Sequence, residues 1–227
     1  MPITFKAELR YFGMLKSTLW LFISLTCFFV QPTFAGNVML FGNPETLPEF
    51  VLLDQNGNSF TKQELEKQWS LIFFGYTSCP DVCPTTLGVL DTVTSLIKAK
   101  PGKDNLPVKS IFVSLDPVRD TPRVLRDYIK YFNDDFVAVT GKNNSDIDRL
   151  TYPIGVKYDF EDIKTNLPIE DVSKLSKDSE YLVNHFAGIF IIDPSARVAA
   201  IVFPPHEAEQ FIKIFTFIRQ SDYAKNQ

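Results

Sequence analysis

Two cysteines stand four positions apart in "TSCPDVCPTTL", at Cys79 and Cys83, each followed directly by a proline. A Cys-x-x-Cys at the end of a strand would point to a thioredoxin-type dithiol; here the loop is one residue longer. Such a loop can still close a disulfide, and the two thiols can then act as a redox pair. Closing so short a loop removes little chain entropy, which argues against a purely structural staple. The i, i+4 spacing also places both sulfurs on one side of a helical turn, where they can converge on one metal ion. Thiolates are soft ligands that select Cu(I) or Zn(II). Two of them leave an ion under-coordinated, so a third ligand is needed.

The chain has only two histidines, His185 and His206. His185 lies in "YLVNHFAGIF", among apolar strand-forming residues, an odd place for a polar ring without a partner. On local sequence it is either a hydrogen-bonded core or rim residue, or a ligand. His206, in "FPPHEAEQ", reads as a solvated or capping residue at a helix start. Asp116 and Asp120, in "SLDPVRDTP", end a strand at the sheet edge where the cysteines are expected. They suit cap and turn roles, tuning of the cysteines, or contact with a partner. Asp81, between the cysteines, favours a cationic guest.

The elements that position these residues are visible as alternating patterns. "FVLLDQNGNSF" (50–60) is two short apolar runs around Asn56-Gly57, a hairpin signal. Thr61 and Glu64 form a capping box before a short helix to Gln68. "WSLIFFGY" (69–76) and "VKSIFVSLD" (108–116) read as buried strands. The first delivers the cysteines at its C-terminal end. A helix opens at Pro84 or Thr85, with Leu87, Leu90, Val93, Leu96 and Ile97 on one face. Thr121 caps another, with Pro122 at its first position. A strand at 136–141 ("FVAVTG"), a helix at 145–152 and a strand at 154–158 follow. The polar stretch 159–180 has no period and reads as an inserted loop before the His-bearing segment. Strands at 189–192 and 198–203 pair about a turn at 193–197, and an amphipathic helix over 206–219 closes the chain. Strands alternating with helices predict a layered α/β fold with parallel pairs. In such folds the site lies outside the C-terminal strand ends.

The 227 residues, 45% hydrophobic, suit one ordinary domain with an appendage. A net charge of −4 gives no support to nucleic-acid binding, and no phosphate-cradling glycine motif is present. Residues 1–35 carry a basic flank (Lys6, Arg10, Lys16), the apolar run 19–30, then the small residues of "PTFAG". This is the order of a signal peptide, or of an N-terminal membrane anchor if it is not cleaved. Cys27 falls inside it. Export would place Cys79 and Cys83 where disulfides persist. Residues 36–48 read as a linker, 49–220 as the domain and 221–227 as a tail.

"GYTSCPDVCP", "SLDPVRDTP" and "YLVNHFAGIFIIDP", in this order, resemble the Sco/SenC family over roughly residues 45–220. The resemblance implies a thioredoxin-like fold: a central mixed sheet flanked by helices, with an added N-terminal hairpin and an inserted loop before the His-bearing strand. It implies a copper site of Cys79, Cys83 and His185, with Asp81, Asp116 and Asp120 on the family's acidic positions. It further implies a periplasmic or membrane-anchored protein that delivers copper to the CuA centre of cytochrome c oxidase, its partner being that enzyme's copper-bearing subunit. The alternative activity is an extracytoplasmic thiol-disulfide reductase using the same cysteines. One departure is Asn184, where the family usually places an aspartate before the histidine; loss of that acid would weaken support of the imidazole ring.

Overall fold

The computed structural model describes residues 37–100 and 106–221. The expected signal or anchor segment 1–35 with Cys27, and the tail beyond Ser221, lie outside the described residues. Among these, no helix is long and apolar enough to cross a membrane.

Trp69–Gly75 (β4) and Val108–Ser114 (β5) form the centre. Every residue of β4 is buried, as expected of a strand covered on both faces. The two strands run parallel, with Phe73 opposite Phe112. Val137–Thr140 (β6) extends the parallel set. Beyond it lies the antiparallel hairpin of Val51–Asp54 (β2) and Ser59–Thr61 (β3), as the Asn56-Gly57 turn predicts. On the other side of β4, Ile189–Ile192 (β9) and Val198–Val202 (β10) add antiparallel strands. Val38–Leu40 (β1) then pairs with β10. The segment expected as a linker thus contributes a strand, and its Leu47 is buried. The eight strands run in the order β1-β10-β9-β4-β5-β6-β2-β3.

Four helices accompany the sheet among the described residues: Val82–Ala99 (α1), Pro122–Lys130 (α2), Asn144–Thr151 (α3) and Ala208–Gln220 (α4). The Thr121 side chain caps α2 as expected. The Thr61–Glu64 capping box is present, but it opens a single 3₁₀ turn, Lys62–Leu65, rather than a helix to Gln68. Trp69 of β4 is fully buried and meets Phe215 of α4 edge-on at 5.7 Å.

Two differences bear on the site. Helix α1 begins at Val82, two residues before Pro84, so Cys83 is inside its first turn. Proline is tolerated there because first-turn N–H groups have no intrahelical acceptor. Its apolar face holds Leu87, Leu90, Val93 and Ile97, while Leu96 is exposed. Further along, the strand expected at 154–158 lies at Tyr158–Asp162 (β7) instead, after a 3₁₀ turn ending at Gly155. So the inserted loop starts with a strand. β7 pairs with Tyr181–His185 (β8) as a two-stranded antiparallel ribbon outside the main ladder.

Candidate metal centre

Cys79 sits in the loop after β4, half-buried, and Cys83 in the first turn of α1, fully buried. His185 is the last residue of β8. The three donors come together: the two sulfurs and one imidazole nitrogen all lie within 4.8 Å of one another, and Cys83 Sγ is 3.6 Å from His185 Nε2. Three donors about 2.2 Å from a shared ion in a plane lie roughly 3.8 Å apart, so the set fits a trigonal thiophilic ion. Cys79 and His185 border an open cavity of about 300 Å3, whose rim includes Asp81, Val82 and Leu182, while Cys83 lies buried behind them.

Backbone and ring contacts fix this geometry. Gly75 ends β4, and a Cβ there would lie 2.7 Å from Cys83 Sγ and 2.9 Å from the Phe112 ring. The glycine makes room for the sulfur against the strand. The Cys79 N–H donates to the Tyr76 carbonyl at 3.3 Å. The His185 ring stands edge-on to Tyr76 and Phe73, with centroids 6.1 and 6.2 Å away. Its Nδ1 lies 3.2 Å from the Phe186 carbonyl. A carbonyl only accepts, so Nδ1 carries the proton and Nε2 presents its lone pair to the sulfurs. The Asn184 side chain lies on the other face of β8 and donates to Asp159 and Glu161, at 3.0 and 3.1 Å. The side chain at 184 therefore has no part in holding the ring, and the expected penalty for the missing acid does not arise from this geometry.

The thiols differ in charge. Its hydrogen bond with Cys83, opposed by burial, brings the Cys79 pKa down to about 4. The Cys79 thiolate and burial push Cys83 strongly up. The resting pair is one half-buried thiolate held by one fully buried thiol.

Asp81 is exposed on the cavity rim, at the N-cap position of α1, without a capping hydrogen bond. Asp116 and Asp120 are fully buried, so the expected partner contact is not open to them. Asp120 accepts from the Thr77 N–H (2.9 Å), the Thr77 hydroxyl (2.5 Å) and the Ser114 hydroxyl (2.5 Å). It ties the cysteine loop to β5. Burial raises its pKa to about 6, against the pull of these bonds. Asp116 pairs with Arg119 and accepts from the Tyr181 hydroxyl at 2.7 Å. His206 is neither solvated nor a cap: it is half-buried, and its Nε2 donates to the Ala187 carbonyl at 2.8 Å, behind the turn that follows His185. Gly75, Tyr76, Arg119 and Tyr181 went unnoticed in the sequence. Arg119 stood in plain view between the two aspartates of "SLDPVRDTP".

The sequence profile of the SCO1/SenC family matches residues 40–218. The chain belongs to the SCO1/SenC family. Among SCO1/SenC relatives, a SCO2-like protein of Rickettsia felis is 32% identical over 183 residues, covering 79% of this chain and 82% of that one. The structure of Bradyrhizobium japonicum ScoI with copper bound is 29% identical, with a TM-score of 0.59, covering 75% of this chain and 97% of that one. Arabidopsis thaliana ScoI with copper bound is 25% identical, with a TM-score of 0.66, covering 78% and 100%. The mixed sheet with flanking helices is therefore the thioredoxin-like fold of the SCO1/SenC proteins.

Proposed function

We propose that this SCO1/SenC protein carries copper on Cys79, Cys83 and His185 and hands it to the copper-bearing subunit of cytochrome c oxidase during assembly. The observation that carries the reading is the convergence of two sulfurs and one imidazole within 4.8 Å beside an open cavity. Such a set is soft and uncrowded, and suits a cargo ion that must leave again. The copper-bound relatives support it. Loading requires both thiols reduced, so copper carriage is coupled to the redox state of the pair. Residues 1–35 export the chain or anchor it on the outer side of the cytoplasmic membrane; the basic, apolar, small-residue order supports this placement. Titrating the reduced full-length chain with Cu(I) against a chromophoric chelator tests the reading. One tightly held copper per chain is expected, with affinity falling at least about tenfold in His185→Ala. Unchanged tight binding in the variant would remove His185 from the site.

The charge asymmetry of the cysteines favours a second activity at the same place. The Cys79 thiolate, which lines the open cavity, can attack a partner disulfide to form a mixed disulfide, which Cys83 then resolves, leaving the partner reduced and this pair oxidised. With the Cys79 pKa lowered to about 4, its alkylation rate in the metal-free chain is expected to stay flat from pH 8 to about pH 5, with Cys83 unreactive throughout. A rate that climbs tenfold per pH unit over that range would remove this reading.

A further inference from the structure

The cysteines and the histidine ride on different bodies. The main sheet and α1 carry the thiols, and the β7–β8 ribbon, which joins no ladder of that sheet, carries the imidazole. Something other than strand pairing must set the distance between them. The Tyr76 phenol meets the Val183 backbone, which is one link. The larger one is Arg119. Its Nε donates to the Asp116 carboxylate, and its Nη1 donates to the Tyr181 carbonyl at 3.0 Å. The guanidinium carbon lies 3.6 Å from the centroid of the Tyr181 ring and 5.6 Å from that of Tyr76. Tyr181 opens β8, four residues before His185; Tyr76 precedes Cys79 by three and faces the His185 ring. The Tyr181 hydroxyl donates to Asp116 and closes the circuit.

This arrangement is poor as a stability device. Arg119 Nη2 is buried and has no partner among the described residues, and a buried donor left unpaired is destabilising. Only a flat cation can fork to a carboxylate and a carbonyl while lying against two aromatic rings; an ammonium cannot.

We propose that Arg119 is a positioning residue of the Cys79–Cys83–His185 site, which sets the spacing between the cysteine loop and the histidine ribbon by stacking against Tyr76 and Tyr181. It touches no donor atom and acts through those rings. The inference rests on the copper reading, and the test separates the two. The full-length chain, Arg119→Met, Arg119→Lys, His185→Ala and the Arg119→Met/His185→Ala double variant are compared in two measurements. One is Cu(I) affinity by chelator competition. The other is the histidine ring signals in nitrogen-15 NMR of the metal-free reduced chain, where His206 serves as internal reference.

Arg119→Met is expected to weaken Cu(I) by about tenfold or more, in the range for groups that orient ligands, and to move the His185 signals while those of His206 stay. In the His185→Ala background the same change is expected to cost less than about twofold, because the coupling runs through the imidazole. Arg119→Lys keeps the charge beside Asp116 and serves if the methionine variant does not fold; its affinity is expected to fall with the His185 signals displaced. Wild-type affinity and unmoved His185 signals in a folded Arg119 variant would overturn the proposal. So would a full tenfold loss repeated in the absence of His185. If the wild-type chain holds no Cu(I), the copper reading falls, and the ring signals of the metal-free chain alone decide whether Arg119 positions His185.

Discussion

A methyl group at position 75 would sit 2.7 Å from the Cys83 sulfur, closer than a Cβ can approach any heavy atom. The buried Phe112 and Phe73 rings, 2.9 and 3.4 Å from the same point, leave little to yield except the sulfur itself. Gly75→Ala is therefore expected to cost about 1–3 kcal/mol, as overpacking does, and to push Cys83 out of register with His185. Chemical denaturation reads the first effect and Cu(I) competition the second; a variant as stable and as tight as wild type would show that α1 shifts freely. At this scale the sequence was informative wherever chemistry is written in the residue type. Cys79, Cys83 and His185 announce themselves as donors, and the structure brings them together. Gly75 and Arg119 do not, because their roles exist only once strand, loop and ribbon are stacked. A glycine at a strand end and an arginine in a turn each have many ordinary explanations.

Among the elements, the loop between β5 and α2 folds back under the cysteine loop and is locked there by Asp120. Its three hydrogen bonds connect Thr77, two residues before Cys79, to Ser114 at the end of β5. The cost is a carboxylate in a dry place, with Asp116 near it raising its pKa further. An unfolded aspartate titrates near 3.9 and this one at about 6, so folding favours the protonated form. The associated stability is fully present below about pH 4 and is lost as pH rises through 6, by up to about 3 kcal/mol. Thermal melts from pH 4 to pH 7.5 are expected to show this decline in the wild type relative to Asp120→Asn. Parallel curves would mean that the three hydrogen bonds hold the carboxylate ionised. Elements with strong local signals were legible: the buried strands, the Asn56-Gly57 hairpin, the Thr121 cap. β1 and β7 were not. Each is polar or short and gains its strand character from its partner, β10 and β8 respectively, so neither carries a period of its own.

Over the whole domain, one continuous eight-stranded sheet holds the core and a two-stranded ribbon lies outside its ladder. Paired strands without a third neighbour are marginal on their own, and Phe160, Tyr181 and Val183 are what bury this pair against the rest. Amide hydrogen exchange is expected to be faster by at least about tenfold at residues 158–162 and 181–185 than at residues 70–75 and 110–113, through an opening that leaves the sheet intact. Equal protection in both would make the domain a single cooperative unit. The split has a kinetic meaning for any ion that the three donors share. Two of its bonds belong to the body of the main sheet and α1, and the third to the ribbon outside its ladder. If the ribbon opens first, departure is ordered, nitrogen first and sulfurs second, and an incoming ligand finds its vacancy at the position the imidazole has left.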